Sequence, residues 1–144
     1  MSAIQNEQAK EFLLKAEDLM KPEKYAEAIS YATAGLEIMF TRANEFFSKD
    51  DGVQYSVDRI QGLDETTICY GLGINIEQYV RYRKMAGYFG PLPGGQVYPK
   101  PGIFGRVKFN YDKKDAEVSL DYCAQTIIKI EETLERLNKP LSEE

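Results

Sequence analysis

The stretch from Tyr82 to Gly90 is the part of the sequence whose residue types suggest chemistry. Within it, Arg83 falls on the apolar face of a predicted helix, where burying an unpaired cation would be costly. The preceding positions on that face are Leu72, Ile76 and Tyr79. Arg83 is therefore expected to face an acid, an interface between subunits or an anionic ligand. Arg81 and Lys84 point away from this face and are predicted to be surface charges.

Three interpretations of Arg83 are open at this point. In the first, Arg83 pairs with Glu37 or Glu45 of the second predicted helix and only fixes the helices together. In the second, Arg83 and Tyr88 bind an anion or a nucleotide. In the third, Arg83 belongs to a working nuclease. The residues alone do not choose among them.

The complete absence of histidine excludes several kinds of active site. Histidine is the side chain that titrates near neutral pH, the commonest zinc ligand and a member of the Ser-His-Asp triad. Glu131, Glu132 and Glu135 are carboxylates of the kind that bind metals, but they lie off the apolar face of the last predicted helix and are interpreted as solvated. Cys69 and Cys123 share no metal-type spacing and are predicted to be buried free thiols. The sequence thus predicts no metal and no cofactor.

The charge of the chain is distributed unevenly. The net charge of −5 argues against generic nucleic-acid binding, which relies on neutralising phosphates. Residues 1–51 carry 6 basic and 10 acidic side chains, and residues 112–144 carry 5 basic and 9 acidic ones. Residues 52–111 carry 7 basic and 4 acidic side chains, a net charge of +3. An anionic ligand would therefore bind to residues 52–111. The alternative is that the acidic residues of the two flanking segments simply form solvated helix faces.

Helical periodicity predicts four helices. Residues 23–48 and the helix that begins at Asp112 and ends before Pro140 each carry a long seam of apolar residues spaced alternately three and four apart. Residues 5–20 form a shorter amphipathic helix that ends at Lys21-Pro22, with Pro22 in the first turn of the next helix. Residues 64–88 are predicted to form a single helix, the third in the chain. Gly71 and Gly73 mark a kink or a tight helix crossing within it.

The segments between the helices give weaker signals. Alternating Val53, Tyr55 and Val57 predict a short strand or an extended strap within residues 49–63. Residues 90–110 contain five glycines and four prolines and cannot be helical, although residues 96–98 and 106–109 are rich in strand formers and are predicted to pair as a small hairpin. A loop of this length is functional, a family-specific insertion without a function of its own, or a contact with another subunit.

Together these patterns predict an all-α protein with one domain over residues 1–144. The architecture is a four-helix, up-and-down bundle with a long Pro/Gly-rich loop between helices 3 and 4. No apolar run is long enough to cross a membrane, and the first ten residues lack the apolar core of a secretory signal. The sequence therefore predicts a cytoplasmic protein that does not contact the membrane.

The chain resembles the HEPN superfamily of small helical bundles, which includes RNase toxins and partners of minimal nucleotidyltransferases. In the second predicted helix the resemblance is carried by Tyr25, Ala28, Ile29, Ala32 and Leu36-Glu37. In the motif it is carried by Tyr82-Arg83-Lys84, Tyr88 and Gly90, and in the last helix by Ala116, Leu120, Ala124, Ile127 and Ile128. In catalytic members the resemblance implies metal-independent RNA cleavage at a dimer interface by arginine and histidine.

Tyr88 stands where catalytic members of the family have histidine. Tyrosine, with a pKa near 10, is a poor base at neutral pH, so the expected function is a non-catalytic binding or partner module. The resemblance implies a homodimer, a nucleotidyltransferase-type protein partner, and a nucleotide or RNA phosphate held by Arg83, Tyr88, Lys84 and Arg106. A weak metal-independent RNase and a purely structural homo-oligomer are the alternatives, so enzymatic activity stays open.

Overall fold

The structure, a computed structural model, describes residues 4–50, 65–86 and 111–138. The strand predicted around residues 53–57, the hairpin of residues 96–109, Tyr88 and Arg106 lie outside the described residues. Within the described residues the chain is all-helical, in agreement with the predicted fold class, and contains no strand. Five helices are described: α1 (Glu7–Met20), α2 (Tyr25–Asp50), α3 (Glu65–Leu72), α4 (Ile76–Met85) and α5 (Lys113–Leu137).

The ends of the long helices are fixed by short polar residues. The side chain of Asn6 accepts a hydrogen bond from the backbone N–H of Ala9 at 2.8 Å, which caps the start of α1. At the start of α5, Asp112 accepts from the N–H of Asp115 at 2.9 Å, and Asp115 accepts from the N–H of Asp112 at 3.1 Å. This reciprocal pair is a capping box, and the predicted start of the last helix at Asp112 is confirmed.

The turn between α1 and α2 differs from the prediction. Pro22 lies in the turn, and α2 begins at Tyr25. Glu23 adopts a left-handed backbone conformation with φ of 59°, and its N–H donates to the carbonyl oxygen of Met20 at 3.1 Å. The N–H of Lys24 donates to the carbonyl oxygen of Leu19 at 3.0 Å and completes a Schellman motif that ends α1.

The predicted single helix over residues 64–88 is wrong, because the chain forms α3 and α4 instead. Gly73 has φ of 71°, its N–H donates to the carbonyl oxygen of Tyr70 at 3.1 Å, and the N–H of Ile74 donates to that of Cys69 at 2.8 Å. These two bonds form a second Schellman motif, so α3 ends at Leu72, just before Gly73, and does not merely bend there. The described part of the chain therefore has five helices where four were expected.

Helix α4 then restarts at once. The side chain of Asn75 accepts a hydrogen bond from the N–H of Gln78 at 3.0 Å and caps the new helix. Helices α3 and α4 are therefore separate elements, and each of them packs against α2.

Helix α2 is the central element, since it packs against each of the other four helices. Its approach to α1 is close at Gly35, where a Cβ atom would stand 3.0 Å from the carbonyl oxygen of Ala9. One turn later on α1 and one turn earlier on α2, the ring of Phe12 lies beside that of Tyr31, with ring centroids 6.1 Å apart. Later residues of α1 thus meet earlier residues of α2, and the two helices run antiparallel, as the tight connection predicts.

Helices α2 and α5 run in the same direction. Ile29 shares a buried cluster with Ala116, and the side chain of Thr33 lies 3.9 Å from the sulfur of Cys123. The buried apolar core includes Leu13, Ala16, Ala32, Leu36, Met39, Phe40, Ala43, Ile68, Leu72, Cys123, Ile127 and Ile130. All of these residues except Phe40 lie on the apolar faces that helical periodicity predicts, so those faces pack together as expected.

We expect the loss of glycine from one Schellman motif and the gain of glycine in the other to change the stability of the fold in opposite directions. Gly73→Ala should destabilise the fold by about 1 kcal/mol because alanine resists positive φ, and Gly73→Asn should cost less because asparagine tolerates it. Space is not limiting, since a Cβ at Gly73 would lie 3.6 Å from the Lys129 side chain. Glu23→Gly should instead stabilise the fold by up to about 1 kcal/mol by removing left-handed strain. Urea unfolding monitored by circular dichroism measures all three changes, and equal effects of Ala and Asn at residue 73 would contradict the motif.

Candidate functional site

Arg83 lies inside the protein rather than at its surface. Only 4% of its side chain is exposed, and its Nε–H donates to the Oε1 atom of Glu37, which is fully buried. The hydroxyl of Tyr79 donates to the same Oε1 atom at 3.0 Å. We call these three residues the Glu37–Tyr79–Arg83 cluster. Of the two carboxylates considered as partners of Arg83, Glu37 is therefore the one that it contacts. Glu45 is exposed.

The helical register explains how the cluster forms. Tyr79 and Arg83 are four residues apart on α4 and therefore share one face of that helix. The ring of Tyr79 stacks on Phe40 of α2, with centroids 4.2 Å apart and planes 17° apart. This stack anchors α4 one turn away from Glu37, so the guanidinium and the carboxylate meet at a fixed depth.

The cluster belongs to a wider set of buried polar side chains in the core. On α2 and α5 these are Ser30, Thr33, Glu37, Asn44, Ser119, Thr126 and Thr133. They recur at helical spacing beside the apolar seam, so the interior of the protein has a polar side as well as an apolar one. Sequence reasoning missed this polar stripe because most of its members are serine and threonine, which fit an apolar face without disturbing its period.

The electrostatics of the cluster favour a closed ion pair. A carboxylate and a guanidinium taken out of water must satisfy each other, because an uncompensated charge in a low-dielectric interior is unstable. The Tyr79 hydroxyl adds a neutral donor to the same carboxylate oxygen. An arginine held in this way stabilises the position of α4 and is not presented to a ligand from solvent.

Of the other predicted site residues, only Lys84 is described by the structure. It follows Arg83 on α4 and is exposed, whereas Tyr88 and Arg106 lie outside the described residues. Lys84 and Arg81 line an open cleft of about 690 Å³. The rest of its lining is formed by Ile76, Val80, Met85 and Tyr111 together with one carboxylate, that of Glu77. Arg81, expected to be a plain surface charge, thus shares a concave surface with Lys84, which the register of a single helix does not reveal.

The two cysteines are buried and unpaired with each other, as predicted. Burial raises the pKa of the Cys123 thiol to about 12; the Thr33 hydroxyl opposes this shift and the negative charge of Glu37 adds to it. Nearby, Tyr122 stacks on Tyr82 with ring centroids 4.0 Å apart, and burial raises the pKa of the Tyr122 hydroxyl. These groups stay protonated at neutral pH and are not poised for nucleophilic chemistry.

No family model, curated protein or solved structure matches the chain. Among the residues that the structure describes, no three cysteine or carboxylate side chains are grouped to hold a metal ion. The five described helices include none with the length and apolar character needed to traverse a bilayer.

Replacing both members of the buried ion pair should be less damaging than the single replacements suggest. Arg83→Met and Glu37→Leu should each cost about 3–5 kcal/mol, because each leaves one buried charge uncompensated. The double variant should lose at least about 2 kcal/mol less unfolding free energy than the two single variants lose together. Urea unfolding of the four proteins measures this coupling.

An internal control accompanies this cycle. The exposed pair Arg81→Met and Glu45→Leu should be additive within about 0.5 kcal/mol. Additive behaviour of Arg83 and Glu37 in the same measurements would show that the buried pair is not coupled.

The buried thiols should resist alkylation in the folded protein. With a pKa of about 12, only about one Cys123 side chain in ten thousand is a thiolate at pH 8, and burial also blocks the reagent. Iodoacetamide should label neither Cys69 nor Cys123 within minutes at pH 8, but both in urea, as counted by mass spectrometry. Rapid labelling of Cys123 at urea concentrations that leave the helices intact would contradict its burial.

Proposed function

We propose that the chain is a HEPN-like helical module that binds a ligand without cleaving it. The observation that carries this proposal is the Glu37–Tyr79–Arg83 cluster, because the arginine expected to stabilise a reacting phosphate is 4% exposed and already neutralised. Moving Arg83 to a substrate would break its buried ion pair with Glu37, which is costly in a low-dielectric interior. The lack of histidine removes the usual proton-transfer group as well.

The directions of the helices support the bundle part of this proposal. Helices α2 and α5 run parallel, and α1 runs antiparallel to α2. Helix α4 is also antiparallel to α2, since Tyr79 meets Phe40 while Arg83 meets Glu37. We propose that α1, α2, α4 and α5 form the up-and-down four-helix bundle of the family, with α3 as an added short helix. The homodimer and the nucleotidyltransferase-type partner follow from the same resemblance.

For the ligand, we propose the phosphate of a nucleotide or of RNA at the cleft of Arg81 and Lys84. Both side chains are exposed, and arginine and lysine are the usual phosphate contacts. Tyr111 on the same cleft offers an aromatic surface for a base. Arg83 then positions the cleft by fixing α4, and Tyr88 and Arg106 are proposed as further contacts.

This function is tested by assaying cleavage and binding on the same samples. With metal chelated, the protein should leave a pool of labelled structured RNAs intact and bind it measurably in fluorescence anisotropy. Arg81→Ala/Lys84→Ala should weaken binding and flatten the dependence of log affinity on log salt concentration by up to about 1.4, about 0.7 for each single-strand phosphate that is no longer neutralised. A mononucleotide competitor distinguishes the two phosphate sources, since only a nucleotide site is emptied by it.

The matched control is Lys21→Ala/Lys24→Ala, which removes the same charge from exposed lysines in the α1–α2 turn. Its salt dependence should equal that of the wild type. Equal effects of the two double variants would show non-specific attraction and refute the cleft. Cleavage by the wild type that is lost in Arg83→Met/Glu37→Leu would show that the chain is an RNase after all.

A further inference from the structure

A second concave surface lies where the start of α1, the second half of α2 and the last third of α5 meet. It is an open groove of about 810 Å³, which we call the α1–α2–α5 groove. None of the residues lining the Arg81–Lys84 cleft lines it. The function proposed above makes no use of this groove.

The floor of the groove is apolar. It is formed by Met39 and Phe46 of α2 and by Leu134 of α5. Met39 is buried, but Phe46 and Leu134 are only partly covered by the residues that the structure describes. Apolar side chains of a ligand would cover this surface and exclude water from it. The burial of apolar surface would stabilise the complex.

The rim of the groove is acidic. Four glutamates line it, Glu7, Glu45, Glu131 and Glu135, against a single cation, Arg42. Glu131 has an internal role, since it accepts hydrogen bonds from the backbone N–H groups of residues 5 and 6, the shorter at 2.7 Å. Across the described helices, the other three glutamates make no ion pair within 4.0 Å. Their charges therefore face the groove opening without an internal counter-ion.

We propose that the α1–α2–α5 groove docks a basic amphipathic segment of a partner protein. The apolar side chains of that segment lie on Phe46 and Leu134, and its lysine or arginine side chains face Glu7, Glu45 and Glu135. This is the helix-in-groove mode of recognition, with charge complementarity setting orientation and partner choice.

Charge decides against other occupants. A phosphate backbone would be repelled by the rim, whose formal net charge is −3. A second copy of the chain is disfavoured because residues 1–51 and 112–144, which include α1, α2 and α5, each carry a net charge of −4. A free metal ion would leave the apolar floor uncovered.

The test uses a fluorescein-labelled 14-residue helical peptide of leucine and lysine with one apolar stripe. A peptide of the same composition, scrambled so that no apolar face forms, is its control. Anisotropy at physiological ionic strength should show saturable binding of the amphipathic peptide and roughly tenfold weaker binding of the scrambled one. Hydrogen exchange should show protection of residues 39–46 and 131–135 when the amphipathic peptide is bound.

Matched variants separate the groove from the overall charge. Glu7→Gln/Glu45→Gln/Glu135→Gln should raise the peptide Kd about tenfold, because three facing charges are removed. The control Glu11→Gln/Glu17→Gln/Asp121→Asn removes the same charge from exposed positions outside the groove and should change Kd less than twofold. Circular dichroism confirms that both variants fold.

Three results would overturn the proposal. The first is an equal loss of affinity in the two triple variants, since that would reflect only the net charge of −5. The second is equal affinity for the amphipathic and the scrambled peptides. The third is the absence of saturable binding up to roughly 100 μM peptide, or of protection at the groove. None of these results bears on the Arg81–Lys84 cleft, so the two proposals fail independently.

Discussion

The buried charge of Glu37 is the constraint on which the rest of the structure depends. A carboxylate at the middle of the central helix must be compensated inside the protein, and α4 supplies both Arg83 and the Tyr79 hydroxyl for this purpose. Apolar packing alone tolerates small shifts of one helix along another, whereas an ion pair taken out of water does not. The pair therefore fixes the position of α4 along α2, and the stack of Tyr79 on Phe40 reinforces it.

This constraint gives a physical reason for the break between α3 and α4. Near the end of α2, the ring of Phe47 lies against Gly71 of α3, and a Cβ there would stand 2.8 Å from that ring. Earlier on α2, Glu37 must meet Arg83. The left-handed conformation of Gly73 ends one helix and Asn75 begins the next, so α3 and α4 can each meet α2 with its own direction. The break thus reconciles a close contact of α3 with a fixed contact of α4.

The sequence predicts the long helices well and the contacts between helices less well. The apolar seams of α1, α2 and α5 extend over many turns, so their period is unambiguous, and Asp112 with Asp115 marks a helix start by chemistry alone. Arg83 could be identified because a cation interrupts an apolar face, and Glu37 was one of two candidate partners. Gly73 was ambiguous, since a glycine allows a positive φ but does not require one. The Tyr79 hydroxyl was missed because the ring fits the apolar pattern whether or not its oxygen has a partner.

Neither of the two proposed binding surfaces can be predicted from the sequence, because each depends on how separate helices pack together. Arg81 and Lys84 belong to one helix, but the cleft they line is completed by Tyr111, which precedes α5. The acidic groove needs three helices, and its glutamates are ordinary surface residues on each. The two surfaces have opposite charge and share no lining residue, which is why we propose a different ligand for each. The arginine that the sequence singled out supports this arrangement from inside the core, since its pairing with Glu37 fixes the helix that carries Arg81 and Lys84.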